Sequence, residues 1–145
     1  MEPQTNKSES KMVTIIRRKY PDGKGGTRGL NAGKYINQGQ HGAMQFIVEA
    51  LDPKPYIGDD ISHIHLSDLE LGWLLDGMTK IVVQVDTLEE IEAIHAEALV
   101  RGMKSFVVTD SGHTEFAGVP TVTCLTIGPD LREKFVNLTD ELKQY

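Results

Sequence analysis

The chain has 145 residues, 39% hydrophobic and 25% charged, the size and composition of one globular domain able to bury a core. Its net charge of -6 excludes a uniformly basic surface, yet residues 1–34 hold eight Lys/Arg against three Asp/Glu while residues 35–145 hold seven against eighteen. No apolar run approaches the roughly 18 residues of a membrane span, Met1 to Ser10 carry no signal-like apolar stretch, and the single Cys124 allows neither an internal disulfide nor a Cys-based metal site, so a cytoplasmic protein away from membranes is expected.

Residues 1–10 lack apolar periodicity and read as a disordered tail ahead of a domain over 11–145. Met12-Val13-Thr14-Ile15-Ile16 is a β-rich run ended by Arg17-Arg18-Lys19, and Pro21 to Gly29 is a loop by composition. This loop is no phosphate-binding P-loop, because Arg28 stands where the first glycine belongs and Tyr35 where Ser or Thr belongs. Asn31 is the predicted N-cap of a helix running to about Leu51, closed by Pro53 and Pro55. At about 100° per residue Lys34, Gln38, His41 and Gln45 share an arc of roughly 60°, with Ile36, Ala43, Ile47 and Ala50 opposite, so one face is expected to present donors and the other to pack.

Residues 52–68 read as a loop leading to a helix over about Asp68 to Asp76. His63 and His65 lie in it, but two imidazoles without a third ligand make no metal site, and no metal or cofactor is expected. Lys80 to Val85 has the near-continuous apolar character of a strand inside a sheet covered on both faces. Thr87 and Glu90 form a capping box, Leu88, Ile91, Ile94 and Ala98 an apolar stripe, and Arg101-Gly102 a helix end, with His95 at the boundary of that stripe. Ser105 to Thr109 completes a βαβ unit, and a strand over Thr121 to Ile127 is followed by a helix starting near Asp130. The expected architecture is a single α/β domain: a four-stranded mixed sheet with helices on both faces.

Two distant stretches carry the functional signal. Gly33-Lys34, Gln38, His41 and Ala43 follow the pattern G-K-x-x-x-Q-x-x-H-x-A, and Asp110, Gly112 and Thr114 follow D-x-G-x-T ahead of Thr121-Val122-Thr123-Cys124-Leu125-Thr126-Ile127-Gly128-Pro129. In this order they resemble the type 2 (archaeal and eukaryotic) peptidyl-tRNA hydrolases. The resemblance spans residues 11–145 apart from the 52–68 connection, with departures at His113 (usually Arg), Glu115 (usually Gln) and Asn37 (usually small), and one extra residue in the turn at Gly118 to Pro120.

Hydrolysing the peptide ester of the tRNA 3′ ribose needs an activated water, a stabilised oxyanion and a proton for the departing hydroxyl. Lys34 near a helix N-terminus opposes the macrodipole at about 0.3–1 kcal/mol, which suits a nearby anion or developing negative charge; its bland alternative is a flexible surface lysine. Asp110, at the carboxyl end of a strand, holds Lys34, orients water, or merely caps its own turn. The resemblance implies that Lys34, Asp110, Thr114 and Thr123 belong to the catalytic centre and that peptidyl-tRNA is the partner. Gln38, His41 and His113 are candidates for the substrate end, and Arg17, Arg18, Lys24 and Arg28 for a phosphate footprint. A homodimer is left open. The rival reading, favoured by the acidic balance, His113 and Glu115, is a catalytically weak or inactive member of the fold serving as an RNA-binding or protein-interaction module.

Overall fold

The computed structural model describes residues 9–52, 58 and 63–145. Four strands build the main sheet: β1 (Ser10–Arg17), β2 (Lys80–Val85), β3 (Ser105–Asp110) and β4 (Thr121–Leu131). Their order is β2-β1-β4-β3, with β2 parallel to β1 and with β4 antiparallel to both β1 and β3. The three parallel strands β1, β2 and β3 therefore end on one edge of the sheet.

Alternate residues of each strand serve opposite faces. Val13, Ile15, Val83, Val85, Leu125 and Ile127 form one face and bury against Ile91 and Ala98 of helix α3 (Leu88–Val100), with Met103, Phe135 and Leu138 completing that core. On the other face lie α1 (Ala32–Glu49) and α2 (Asp68–Leu75): Ile16, Val108 and Cys124 meet Tyr35, while Met12 meets Phe46 and Trp73. The mixed four-stranded sheet with helices on both faces is thus as expected. Asn31 caps α1 by accepting from the Lys34 amide, and Thr87 with Glu90 forms the capping box of α3.

Several local expectations are corrected. Of the expected packing residues of α1, Ala43, Ile47 and Ala50 do pack, but Ile36 is 59% exposed, and the buried stripe runs through Tyr35, Gln38, Gly42 and Phe46. Helix and sheet approach through Gly42, where a Cβ would overlap the Thr126 hydroxyl, and this close approach turns Ile36 away from the sheet. Strand β2 is an edge strand rather than an interior one, because the crossover through α3 delivers β3 to the far edge with β1 and β4 between. Its apolar run serves one buried face, leaving Val82 exposed, and its outer edge is taken up by a bridge from Val83 to Gln144. No helix starts near Asp130; β4 continues to Leu131 and a 3-10 turn follows over Arg132–Phe135. Helix α1 ends at Glu49, and Leu51–Asp52 pairs with His63–Ile64 inside the stretch read as a loop. The predicted tail contributes Ser10 to β1, while residues 1–8, Pro53, Pro55 and most of the 52–68 connection lie outside the described residues.

Replacing Gly42 by alanine tests the close approach. The added methyl forces α1 away from Thr126 and should cost about 1–3 kcal/mol of stability in denaturant unfolding.

Candidate active site

The carboxyl edge shared by the parallel strands receives the N-terminal turns of α1. Lys34 Nζ donates to Asp110 Oδ1 at 2.8 Å and to Thr114 Oγ1 at 3.1 Å. The pair is largely withdrawn from solvent, with side-chain exposures of 16% for Lys34 and 10% for Asp110. Asp110 is held three further ways: Gln38 Nε2 reaches the same Oδ1 at 3.3 Å, the Gly112 amide donates to Oδ2 at 3.0 Å, and β3 fixes its backbone. Holding Lys34 and capping its own turn, offered by the sequence as alternatives, are therefore done by the two oxygens of one carboxylate. The turn needs Gly112, whose φ is +86° and whose Cβ position would collide with the Val119 backbone.

Gln38 is the link that the helical arc did not foresee. It is 7% exposed, because its Oε1 accepts from Thr123 Oγ1 at 2.6 Å while its Nε2 serves Asp110 and Asn37. Thr123 reaches α1 through a β-bulge: Val108 pairs with Cys124 and Thr109 with Val122, so Thr123 is skipped in the ladder and turned toward the helix. Its neighbour Cys124 donates to the Gln38 carbonyl at 3.4 Å, and burial pushes the Cys124 thiol up to about 12, which leaves it without thiolate character.

The hydrogen bond from Lys34, with the Gly112 amide and the charges of Lys34 and His113 adding to it against the cost of burial, holds the Asp110 carboxyl below the ordinary carboxylate range. At neutral pH Asp110 is thus a carboxylate.

The remaining candidates spread outward. His41 is exposed on α1 and His113 is exposed on the loop after β3. Arg28 donates to the Glu115 carbonyl and meets its carboxylate at 3.4 Å, and Asn31 Nδ2 lies 3.4 Å from the same carboxylate. These contacts tie the loop after β3 to the start of α1. Lys24 is exposed at the tip of the hairpin pairing Tyr20–Pro21 with Thr27–Arg28. Arg17 differs from the footprint drawn from sequence: it is 8% exposed, donates to the carbonyls of Lys19 and Val122, and lies over the Tyr20 ring, because the strand buries it to its last residue. Arg18 bonds Gln84 and lies against the rings of Tyr35 and Tyr145, a grouping that no local sequence signal announces. Among the described residues no three His, Cys, Asp or Glu side chains gather as a metal site, and no helix is long and apolar enough to cross a membrane.

The depressed Asp110 carboxyl makes a signed prediction. A carboxyl with a lowered folded-state pKa stabilises the fold above its unfolded value, about 3.9, and that contribution is lost as pH falls through the folded value. The stability advantage over Asp110→Asn in denaturant titrations should be full at neutral pH and shrink below about pH 3.9.

Comparison with known proteins places this constellation. The family model described as Peptidyl-tRNA hydrolase PTH2 matches residues 10–145. A protein named peptidyl-tRNA hydrolase from Methanocaldococcus jannaschii is 29% identical over 133 residues, covering 92% of this chain and 97% of that protein. One of the same name from Thermococcus sibiricus is 32% identical over 116 residues, 79% of this chain and 86% of that protein. A third, from Methanothermobacter thermautotrophicus, is 42% identical over 72 residues, 49% of this chain and 62% of that protein. With a bulge-turned Thr123, a buried Gln38 and a lysine–aspartate pair at the carboxyl edge, and with a family match running from Ser10 to the last residue, the chain belongs to the peptidyl-tRNA hydrolase PTH2 family.

Proposed function

We propose that the protein hydrolyses the ester joining a peptide to the 3′-terminal ribose of tRNA, releasing peptide and free tRNA, with Lys34, Asp110, Thr114 and Thr123 as its reacting centre. The observation that carries this reading is the Lys34 ammonium, fixed by Asp110 at 2.8 Å and Thr114 at 3.1 Å in a partly dry site. A preorganised cation there stabilises the negative charge that develops on the ester carbonyl as water attacks. As the bond to the 3′ oxygen breaks, that oxygen takes up the proton given up by the attacking water and departs as a hydroxyl, while the peptide keeps the water's oxygen as its new carboxyl group. Asp110 stays ionised and positions Lys34, while the Gln38 amide holds Asp110 and Thr123 in register. The buried thiol of Cys124 offers no nucleophile, which favours direct attack by water over a covalent intermediate.

Lys24 and Arg28, with Arg18 beside them in the sequence's basic third, are the proposed phosphate contacts, and Arg17 supports the base of the hairpin instead. His41 and His113 are proposed to meet the substrate end. The exposed apolar residues Met44, Val48, Leu71 and Leu75 favour self-association as a homodimer, and the substrate class favours a cytoplasmic address.

Removing the ammonium while keeping the stem tests the centre. Lys34→Met should fold normally and lower kcat about 100-fold on an N-acylated aminoacyl-tRNA, whereas loss of substrate anchoring alone would chiefly raise KM. Asp110→Asn should also lower kcat, with the double variant less than additive. Near-normal turnover in folded Lys34→Met, or full additivity, would remove the shared role.

The footprint is tested by salt. Alanine at both Lys24 and Arg28 should flatten the slope of log K against log salt by about 0.7–0.9 for each lost contact. An unchanged slope in titrations of deacylated tRNA would sink it.

A further inference from the structure

A second concave surface lies on the flank of α1 opposite the Lys34–Asp110 pair. It is a groove of about 440 Å³ between α1 and the edge strand β2, walled by Ile16, Tyr35, Ile36, Val82 and Tyr145, with Gly39 opening its floor. The last residues of the chain create one wall: the Gln84 amide donates to the Lys143 carbonyl, Val83 bridges Gln144, and the Tyr145 amide donates to the Val82 carbonyl. This laces Tyr145 along the edge and leaves the residue 50% exposed. Its centroid lies 5.8 Å from that of Tyr35, edge to face. The Arg18 guanidinium stands against both rings, 5.0 Å from the Tyr35 centroid and 4.9 Å from that of Tyr145, and is steadied by Gln84 at 3.1 Å. The Tyr35 hydroxyl accepts from the Leu30 amide and donates to the Arg18 carbonyl, so that ring is fixed in place.

We propose that this groove receives an unpaired nucleobase from the 3′ end of the tRNA, stacked against the exposed Tyr145, which the buried Tyr35 backs, with its phosphate near Arg18. The proposal rests on the hydrolase reading and adds to it a subsite outside the reacting centre. Three observations select the occupant. Aromatic faces beside an arginine form the stacking and charge combination by which proteins hold single-stranded nucleic acid without reading its sequence. The cation beside the Tyr145 wall is Arg18, which suits a phosphate-linked ring, while Lys80 at the other end donates to the Met78 carbonyl. An extended peptide, the other part of the substrate, binds a sheet edge through free backbone groups, and residues 143–145 already occupy those of β2. Ile36 stands about 200° around α1 from Lys34, so groove and reacting centre flank the same turn of a helix about 10–12 Å wide. A short run of unpaired nucleotides bridges that width.

The test compares the full chain with Tyr145→Ala, Tyr145→Phe and Ile36→Glu in filter binding to deacylated tRNA and to the same tRNA trimmed of its unpaired 3′ nucleotides. Ile36 is an exposed helix position, so its variant does not depend on how residues 143–145 dock. Tyr145→Ala and Ile36→Glu should each weaken intact tRNA about fivefold or more, Tyr145→Phe should restore it, and trimmed tRNA should bind all four proteins alike. In methyl NMR a short unpaired oligoribonucleotide should shift Ile16, Ile36 and Val82. Unweakened binding of intact tRNA by both variants, or equal weakening of intact and trimmed tRNA, overturns the proposal. So do methyl shifts produced by an N-acyl dipeptide and not by the oligonucleotide. The readout is independent of ester cleavage: a wild type that binds as described without hydrolysing peptidyl-tRNA defeats the function and spares the subsite, and hydrolysis without the binding pattern does the reverse.

Discussion

A glutamine amide buried between a helix and a sheet constrains everything around it. Leaving either end of Gln38 without a partner would cost about 1–3 kcal/mol, so α1 docks where Thr123 can donate to its oxygen and where Asp110 and Asn37 can accept from its nitrogen. That register in turn sets Gly42 over the Thr126 side chain, where the helix has no room for a side chain of its own. It also sets Lys34, one turn earlier on α1, against the end of β3. Packing and chemistry are thus decided by the same docking: the network that satisfies a buried polar group is the one that aims the ammonium.

The β-bulge in β4 is the second element of this arrangement. In a regular ladder, Thr123 would face away from Cys124, and only one of the two could reach α1. The skipped pairing lets the hydroxyl of Thr123 and the thiol of Cys124 both meet Gln38, at its side chain and its carbonyl. A mid-strand threonine that looks like an ordinary β-former becomes part of the site by a shift of one residue.

Charge on this protein is local rather than global. The basic residues of the first third do not form one cationic surface: Arg17 is turned into the fold, Arg18 is stacked between tyrosines, and Arg28 is engaged by Glu115. The partly exposed Arg28–Glu115 pair is worth little as stability, in the range of about 0–1 kcal/mol. Its consequence is positional, because it holds the Arg28 guanidinium beside the loop that follows β3.

Local chemistry by itself determined the strands Lys80–Val85 and Ser105 onward, the capped starts of α1 and α3 at Asn31 and Thr87, and the α/β class. These depend on caps and periodicity, which are written within a few residues of one another. Tertiary structure alone decided the edge position of β2, the inward turn of Gln38 and Arg17, the bulge at Thr123 and the stacking of Arg18 between Tyr35 and Tyr145. Each of those depends on which distant strand or side chain arrives opposite. An apolar run reads alike whether its second face meets a helix or solvent, and a buried amide is recognisable as buried only when its partners, 72 and 85 residues away, are in place.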